Sequence, residues 1–226
     1  MKQYIKSYHL FLTRWWFRGI IYLVYPALLL LLAGFLGNKV TEFTWISYEK
    51  AQSYRLVLLE LLCSFIVSVE IFCDYFIFGG IATKETNKLE YLKTSVKGIP
   101  LLTKALITDG MRHLLSIAII IGFGSLLLTT ALSPLDCLLI IIFVFGLVEA
   151  GLIVTRHFST LLIQYITLSV ITFFLPASIT LLLQKTIAFT IWLPLLLAII
   201  IPFLGRWLIL KKARNSYYDN RPENSL

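Results

Sequence analysis

Six long apolar runs divide the chain, and short polar or proline-containing segments separate them. A helix needs about 20 apolar residues to cross a bilayer, and each run is close to that length. The pattern therefore predicts an all-α, polytopic membrane protein whose six-helix transmembrane domain occupies residues 19–210. The predicted spans are, in order, Gly19–Gly37, Leu56–Ile81, Leu114–Leu132, Cys137–Thr155, Ser159–Leu183 and Ile187–Leu210.

The two ends of the chain are more polar than the runs between them. Within residues 1–18, aromatic side chains from Tyr4 to Trp16 recur at helical spacing, with basic residues on the other side. Tryptophan and tyrosine favour the headgroup zone of a bilayer, where basic residues meet anionic lipid. We expect residues 1–18 to form an amphipathic connecting helix on the cytoplasmic membrane surface; the alternative is an extended basic arm. Residues 211–226 are predicted to be a cytoplasmic polar tail.

Composition excludes a water-soluble fold. Apolar residues make up 58% of the chain and charged residues 14%, with a mean hydropathy of +0.85. Soluble domains are about 45–50% apolar and about 25% charged. Three cysteines, Cys63, Cys73 and Cys137, lie within apolar runs and show no metal-ligand spacing, so we expect buried thiols and no metal site.

The net charge of +8 is distributed unevenly between the predicted loops. With the N-terminus inside, the inner segments hold sixteen of the 20 basic residues. Inner loops of membrane proteins are enriched in lysine and arginine, so the bias predicts a multi-pass protein of the cell membrane with both termini cytoplasmic. The positive charge is thereby explained without a nucleic-acid partner.

Residues 82–113 form the long inner segment, and their pattern predicts order. Gly98 and Pro100 break this segment, and a second helix starts at Leu101 and leads into the third span. We predict a short helix beneath the membrane that offers apolar and charged side chains to a cytoplasmic partner; the alternative is a helix folded back on the membrane surface. An apolar stripe at helical spacing leads into this break: Leu89, Leu92, Val96 and Ile99.

Lys84-Glu85, followed by the stretch Leu89–Ser95, carries a family resemblance. These residues resemble the Arg-Glu…Leu-Glu-x-Leu-x-Thr-[Thr/Ser]-Pro stretch of type-2 ABC exporter membrane subunits, with Lys84 in place of arginine and Val96 in place of proline. Lys104 resembles the basic residue at the start of that family's third span. The six-span layout with both ends inside is similar as well.

The resemblance implies that the segment is a coupling helix that docks on a separate ATP-binding subunit. No G-x-x-x-x-G-K-[ST] motif occurs in the chain, so ATP and Mg²⁺ are expected on partner ATPase subunits and the chain is not itself an enzyme. A second membrane subunit, identical or different, is implied too. The docking residues carried over are Lys84, Glu85, Leu89, Glu90, Leu92, Lys93 and Val96.

Acidic residues within the predicted spans are candidates for function because burying a charge in a membrane is costly. Three interpretations remain open: a structural ion-pair network that includes a Glu149–Arg156 pair, a pathway for a cationic substrate, and a metal or catalytic site. The third lacks histidines in the spans, and no catalytic residue is proposed. The candidate charges are Glu70, Asp74, Glu149, Arg112 and Arg156.

Proline and glycine mark the remaining features. We expect a re-entrant helix over Ala177–Gln184 that turns at Pro176, as the resemblance implies; the alternative is a kinked helix. Gly122 and Gly124 are expected to permit close helix contact.

The expected function is the membrane subunit of an ATP-driven exporter, with a cationic amphipathic peptide or antibiotic as cargo. The alternatives are export of lipid, polysaccharide or haem, and a scaffold or sensor that docks a cytoplasmic partner.

Overall fold

A computed structural model describes residues 2–12, 14–42, 47–79, 81–82, 95–158, 160–183 and 189–218, and these residues form helices and short connections. The prediction of an all-helical chain is confirmed for this part of the protein. The α-helices are α1 (Lys2–Phe11), α2 (Trp15–Gly19), α3 (Tyr25–Glu42), α4 (Tyr48–Phe78), α5 (Gly98–Leu127), α6 (Pro134–His157), α7 (Leu161–Leu183) and α8 (Phe189–Tyr218).

Within the described part of the chain, five helical segments are long and apolar enough to cross a membrane. They are Trp15–Val40, Tyr48–Phe78, Gly98–Leu127, Pro134–His157 and Leu161–Leu183, and each overlaps one of the first five predicted spans. The sixth predicted span falls on α8, a continuous helix of 30 residues. A sixth membrane crossing there remains a prediction.

The first span contains a widened turn, the π-helix Ile20–Val24, between α2 and α3. The backbone N–H of Tyr25 donates to Ile20 O, five residues back instead of four. Pro26 explains this position, because its ring has no N–H to continue the α-helical ladder and collides with the carbonyl four residues before it. The span begins at Trp15, inside the predicted arm 1–18.

Helix α1 packs against the first half of α5. Tyr8, Phe11 and Leu12 are buried, whereas Trp15 is 82% exposed. Some aromatic residues of the predicted arm therefore pack against the protein, whereas others are exposed. The reason is that α1 ends at Phe11, before the first span begins. An apolar cluster at this end of the bundle, which we call the α1 end, joins α1 to α4, α5 and α8: Tyr8, Phe11, Leu12, Ile21, Ile77, Phe78, Ile81, Ala82, Leu102, Ala105, Leu106, Ile209 and Ala213.

The predicted third span is displaced relative to α5. The helix begins at Gly98 and ends at Leu127, not at Leu132, and a turn with Thr129 at φ 50° follows it. Helix α6 then starts at Pro134, where the Ser133 hydroxyl accepts a hydrogen bond from the backbone N–H of Asp136 at 3.2 Å. Serine as N-cap with proline at the first helical position is a strong helix start.

Helix α7 runs without a break through Pro176 to Leu183. The prediction of a re-entrant helix that turns at Pro176 is therefore wrong for residues 177–183, and Gln184 lies outside the described residues. A proline inside a membrane helix is tolerated because neighbouring groups compensate the lost backbone bond. The Thr180 hydroxyl lies 3.1 Å from Pro176 O and 2.7 Å from Glu60 Oε1 of α4.

Helix α6 is the central helix of the bundle and contacts α4, α5, α7 and α8. The main apolar core surrounds it, with Ile66, Ile117 and Ile140 among its buried members. Gly124 allows α5 to approach α4, because a Cβ there would lie 2.7 Å from Leu62 Cδ2. Gly122 meets nothing within 4 Å, so its predicted role in close packing is wrong.

Candidate functional site

A buried charge network joins three helices near the α1 end. Its carboxylates come from α4 and α5, and its cations come from α5 and α6. The side chains of all six members are almost inaccessible to solvent. The members of this charge network are Glu70, Asp74, Asp109, Arg112, His113 and Arg156.

Arg156 lies at the centre of the network and pairs with carboxylates from two helices. Its Nε donates to Asp74 Oδ2 at 3.0 Å and its Nη2 to Asp74 Oδ1 at 2.5 Å, which makes the pair bidentate. The same Nη2 donates to Asp109 Oδ2. The guanidinium carbon also lies 5.0 Å from the centre of the Phe78 ring, a cation–π distance. One arginine thus holds α4, α5 and α6 together.

Arg112 and His113 pair with the remaining acceptors. Arg112 Nη1 lies 2.9 Å from Glu70 Oε2, and Arg112 Nε lies 3.4 Å from Asp109 Oδ1. His113 Nδ1 lies 2.9 Å from Glu70 Oε2, and its Nε2 lies 2.9 Å from Asp109 Oδ2. Glu70 is therefore shared by two cations of α5.

The His113 ring lies between two carboxylates, Glu70 and Asp109. Ionised carboxylates accept hydrogen bonds and cannot donate them, so both ring nitrogens must carry hydrogen to bond Glu70 and Asp109. The imidazolium form also balances charge: three carboxylates then face two guanidinium groups and one imidazolium. Arg112 Nη2 lies 3.0 Å from His113 Nδ1, and the carboxylates around the guanidinium and the imidazolium form of the ring would offset their mutual repulsion.

Glu149 belongs to a separate pair. Arg206 of α8 reaches Glu149 Oε1 of α6 at 3.4 Å. The predicted Glu149–Arg156 pair is wrong, because Arg156 turns toward α4 and α5. Gly110 makes room for the pair, since a Cβ at this position would overlap Arg206 Nη2 and lie 3.1 Å from Glu149 Oε1.

Helix α1 covers the charge network. Tyr8 is fully buried, and its hydroxyl has no hydrogen-bond partner among the described residues. Burial, reinforced by the negative charge of Asp109, raises the pKa of Tyr8 well above its usual value. Tyr8 therefore stays neutral and closes the network from this side.

The network does not offer a vacant metal site in the part of the chain that is described. Asp74, Asp109 and His113 each bring a possible ligand atom within 4.8 Å of the others. Arg156 donates to both of these carboxylates, so a guanidinium already occupies the place that a cation would take. What the charge network can do chemically is exchange ion-pair partners between helices.

Most of the predicted docking segment lies outside the part of the chain that the structure describes. Lys84, Glu85, Leu89, Glu90, Leu92 and Lys93 lie outside the described residues. Val96 is described and is 81% exposed, two residues before α5 begins.

Two members of the network were missed by sequence reasoning. Asp109 and His113 both belong to the predicted inner segment 82–113, yet both are buried inside the bundle. Asp109, Arg112 and His113 follow at i, i+3 and i+4, which puts them on one helix face. That spacing was the available signal.

Comparisons with protein-family models, with curated proteins and with solved structures find no match to this chain. What defines the chain is thus its architecture: the residues that the structure describes are all-helical and include five apolar helices of membrane-spanning length.

Proposed function

We propose that the chain is the transmembrane subunit of an ATP-driven exporter of the type-2 ABC class. The observation that carries this proposal is the arrangement at the α1 end, where the amphipathic helix α1 packs against α5. Residues 79–97, which include the motif that resembles a coupling helix, join the end of α4 to the start of α5 at the same place. In this proposal both termini are cytoplasmic and the ATPase docks at the α1 end.

The charge network supports a mechanical connection from the docking segment into the bundle. Asp74 lies four residues before the end of α4, and Arg156 lies one residue before the end of α6. The backbone N–H of Ala82, within the segment itself, donates to Arg156 O at 3.3 Å. A force on residues 79–97 would therefore act on three helices at once.

The proposed cargo is a cationic amphipathic peptide or antibiotic. In the structure the carboxyls of α4 and α5 are paired with Arg112 and Arg156. They would attract a cationic cargo only in a state in which these arginines release them. A structural role for the network needs no such change and is the interpretation that the geometry favours.

Copurification tests the docking. The wild-type chain should retain an ATPase subunit, and Leu92→Asp should lose it, because a carboxylate buried without a partner in an apolar interface costs about 2–5 kcal/mol. Tyr48→Asp is the matched control, since it adds the same charge at an exposed site (72%) at the start of α4. Equal retention of the ATPase by Leu92→Asp and Tyr48→Asp would refute the docking site. Recovery of another cytoplasmic protein with the wild type, and of no ATPase, would favour the scaffold or sensor alternative.

A further inference from the structure

A cavity of about 290 Å³ lies where α1 ends and the first span begins. Its walls are mostly apolar side chains from α1, α2 and the last turns of α4, among them Phe11, Phe17 and Phe76. Arg14, in the turn between α1 and α2, is the charged member of this lining. The cavity is therefore amphipathic, with one cationic side chain beside apolar walls.

The turn beside this cavity is held in shape by Arg18. Its Nε donates to Leu12 O at 2.9 Å and its Nη2 donates to His9 O at 3.0 Å. These bonds satisfy carbonyls at the end of α1 that the helix leaves without partners. These bonds engage Arg18 within the protein, beside the cavity.

The cavity opens on the surface that would face lipid. Phe76 is 54% exposed, and Trp16, another lining residue, is 46% exposed. Both belong to helices of membrane-spanning length, close to their ends at the α1 end. Tryptophan is enriched where a membrane helix meets the headgroup layer, which places the cavity at the depth of lipid phosphates.

The local charge selects an anionic occupant. No acidic residue precedes Glu42 in the sequence, and Asp74, near the end of α4, is paired with Arg156. Burial, and then the nearby charge of Arg18, lower the pKa of His9, so this ring is uncharged at neutral pH. Arg14 has no acidic partner among the described residues, and its guanidinium lies 5.8 Å from the centre of the Trp16 ring.

We propose that this cavity binds one anionic phospholipid, with its phosphate on Arg14 and part of an acyl chain against Phe17 and Phe76. An arginine binds a phosphate by paired N–H donors, and the apolar walls match the acyl chain. Such a lipid would occupy the angle between α1 and the first span. This site is independent of whether ATP drives the protein.

Lipid retention tests the site. The full chain is purified with any copurifying subunits and reconstituted with phosphatidylglycerol or phosphatidylcholine. It is then extracted into detergent, and mass spectrometry of the intact protein measures how much lipid stays bound. We expect the wild type to retain one phosphatidylglycerol. Arg14→Glu should reduce retention about tenfold, because reversing a cation at an anionic headgroup removes attraction and adds repulsion.

Arg214→Glu is the matched control, since it makes the same charge change at an exposed residue of α8. It should leave retention unchanged, and Arg14→Lys should keep most of it. Arg14→Gln, which removes the charge without reversing it, provides a second test if Arg14→Glu yields too little protein. Equal retention of the two lipids by the wild type, or equal retention by Arg14→Glu and Arg214→Glu, would overturn the proposal. Unchanged lipid retention with loss of a copurifying protein from Arg14→Glu would overturn it too, in favour of a protein-docking surface.

Discussion

The two halves of the bundle are held together by different interactions. In the half away from α1, side chains such as Ile66, Ile117 and Ile140 pack without polar contacts between them. In the half near α1, six charged side chains pair across α4, α5 and α6. Lipid tails are as apolar as leucine, so apolar packing within a membrane fixes helix contacts by shape alone. The charge network also determines which helix positions meet, because each buried carboxylate requires a cation at one particular position.

The largest effect is expected at Arg156. Arg156→Leu leaves Asp74 and Asp109 facing each other without this cation, and breaking a buried pair in this way costs about 3–5 kcal/mol. We expect a lower melting temperature and a lower yield of the folded protein in detergent. Arg156→Leu combined with Asp74→Leu should recover part of the loss, since it also removes one of the unpaired carboxylates.

Ile140→Ala gives the corresponding measurement in the apolar half. Ile140 is fully buried, and truncation of a buried isoleucine to alanine costs about 2–5 kcal/mol. We expect the value near the low end of this range, because neighbouring apolar side chains can relax into the space. A larger loss from Ile140→Ala than from Arg156→Leu would contradict the distinction between the two halves.

A smaller effect is expected at Gly110, and α5 supplies its own control. Gly110→Ala places a Cβ in the space of Arg206 and should break the Glu149–Arg206 pair, which joins α6 to α8. We expect a loss of about 1–2 kcal/mol from the displaced pair, reduced by the better helix propensity of alanine.

Gly122→Ala makes the same change where nothing lies within 4 Å. It should gain up to about 1 kcal/mol from helix propensity. The melting temperatures of Gly110→Ala and Gly122→Ala, measured in the same detergent, test these two expectations. Similar shifts for Gly110→Ala and Gly122→Ala would show that the space beside Gly110 is not needed by Arg206.

The smallest effect concerns Tyr8 and depends on pH. The folded protein binds the Tyr8 proton more tightly than the unfolded chain does, since burial raises the pKa of this residue. Its stabilising contribution is therefore complete below pH of about 10 and is lost as the pH rises above that value. Tyr8→Phe, which removes a hydroxyl without a described partner, should change stability little at pH 7 and should flatten the loss at alkaline pH. An unchanged alkaline loss in Tyr8→Phe would assign it to another group.

The sequence was sufficient for the existence and order of five spans, because long apolar runs determine them directly. It placed the end of the third span too late, at Leu132, whereas α5 ends at Leu127; the helix start predicted at Leu101 lies close to the observed start at Gly98. The polar residues Asp109, Arg112 and His113 are the reason that the predicted span begins only at Leu114, since charges normally mark the end of a span. Their cost is offset by partners on other helices: Glu70 and Arg112 are far apart in the chain yet lie 2.9 Å apart in space.

The pairing within the site was beyond the sequence for the same reason. Residues Glu149 and Arg156 lie at i and i+7 of one helix, which suggested a pair. The structure instead directs Arg156 to Asp74 and Asp109, and Glu149 to Arg206. Which cation meets which carboxylate depends on helix rotation and tilt, and periodicity along one helix contains no information on either.

The π-helix Ile20–Val24 sets how α1 and α2 are rotated relative to α3, and it does so through one extra residue. Successive residues of an α-helix are separated by about 100° around its axis, and a π-turn contains one residue more than an α-turn. Deleting one residue between Ile20 and Val24 would restore a regular α-turn and rotate α2 by about a quarter of a circle relative to α3. Arg18 would carry α1 along through its bonds to His9 and Leu12, and Tyr8 would then point away from α5. A one-codon insertion or deletion in this turn would thus cover or uncover the charge network without changing any of the residues that form it.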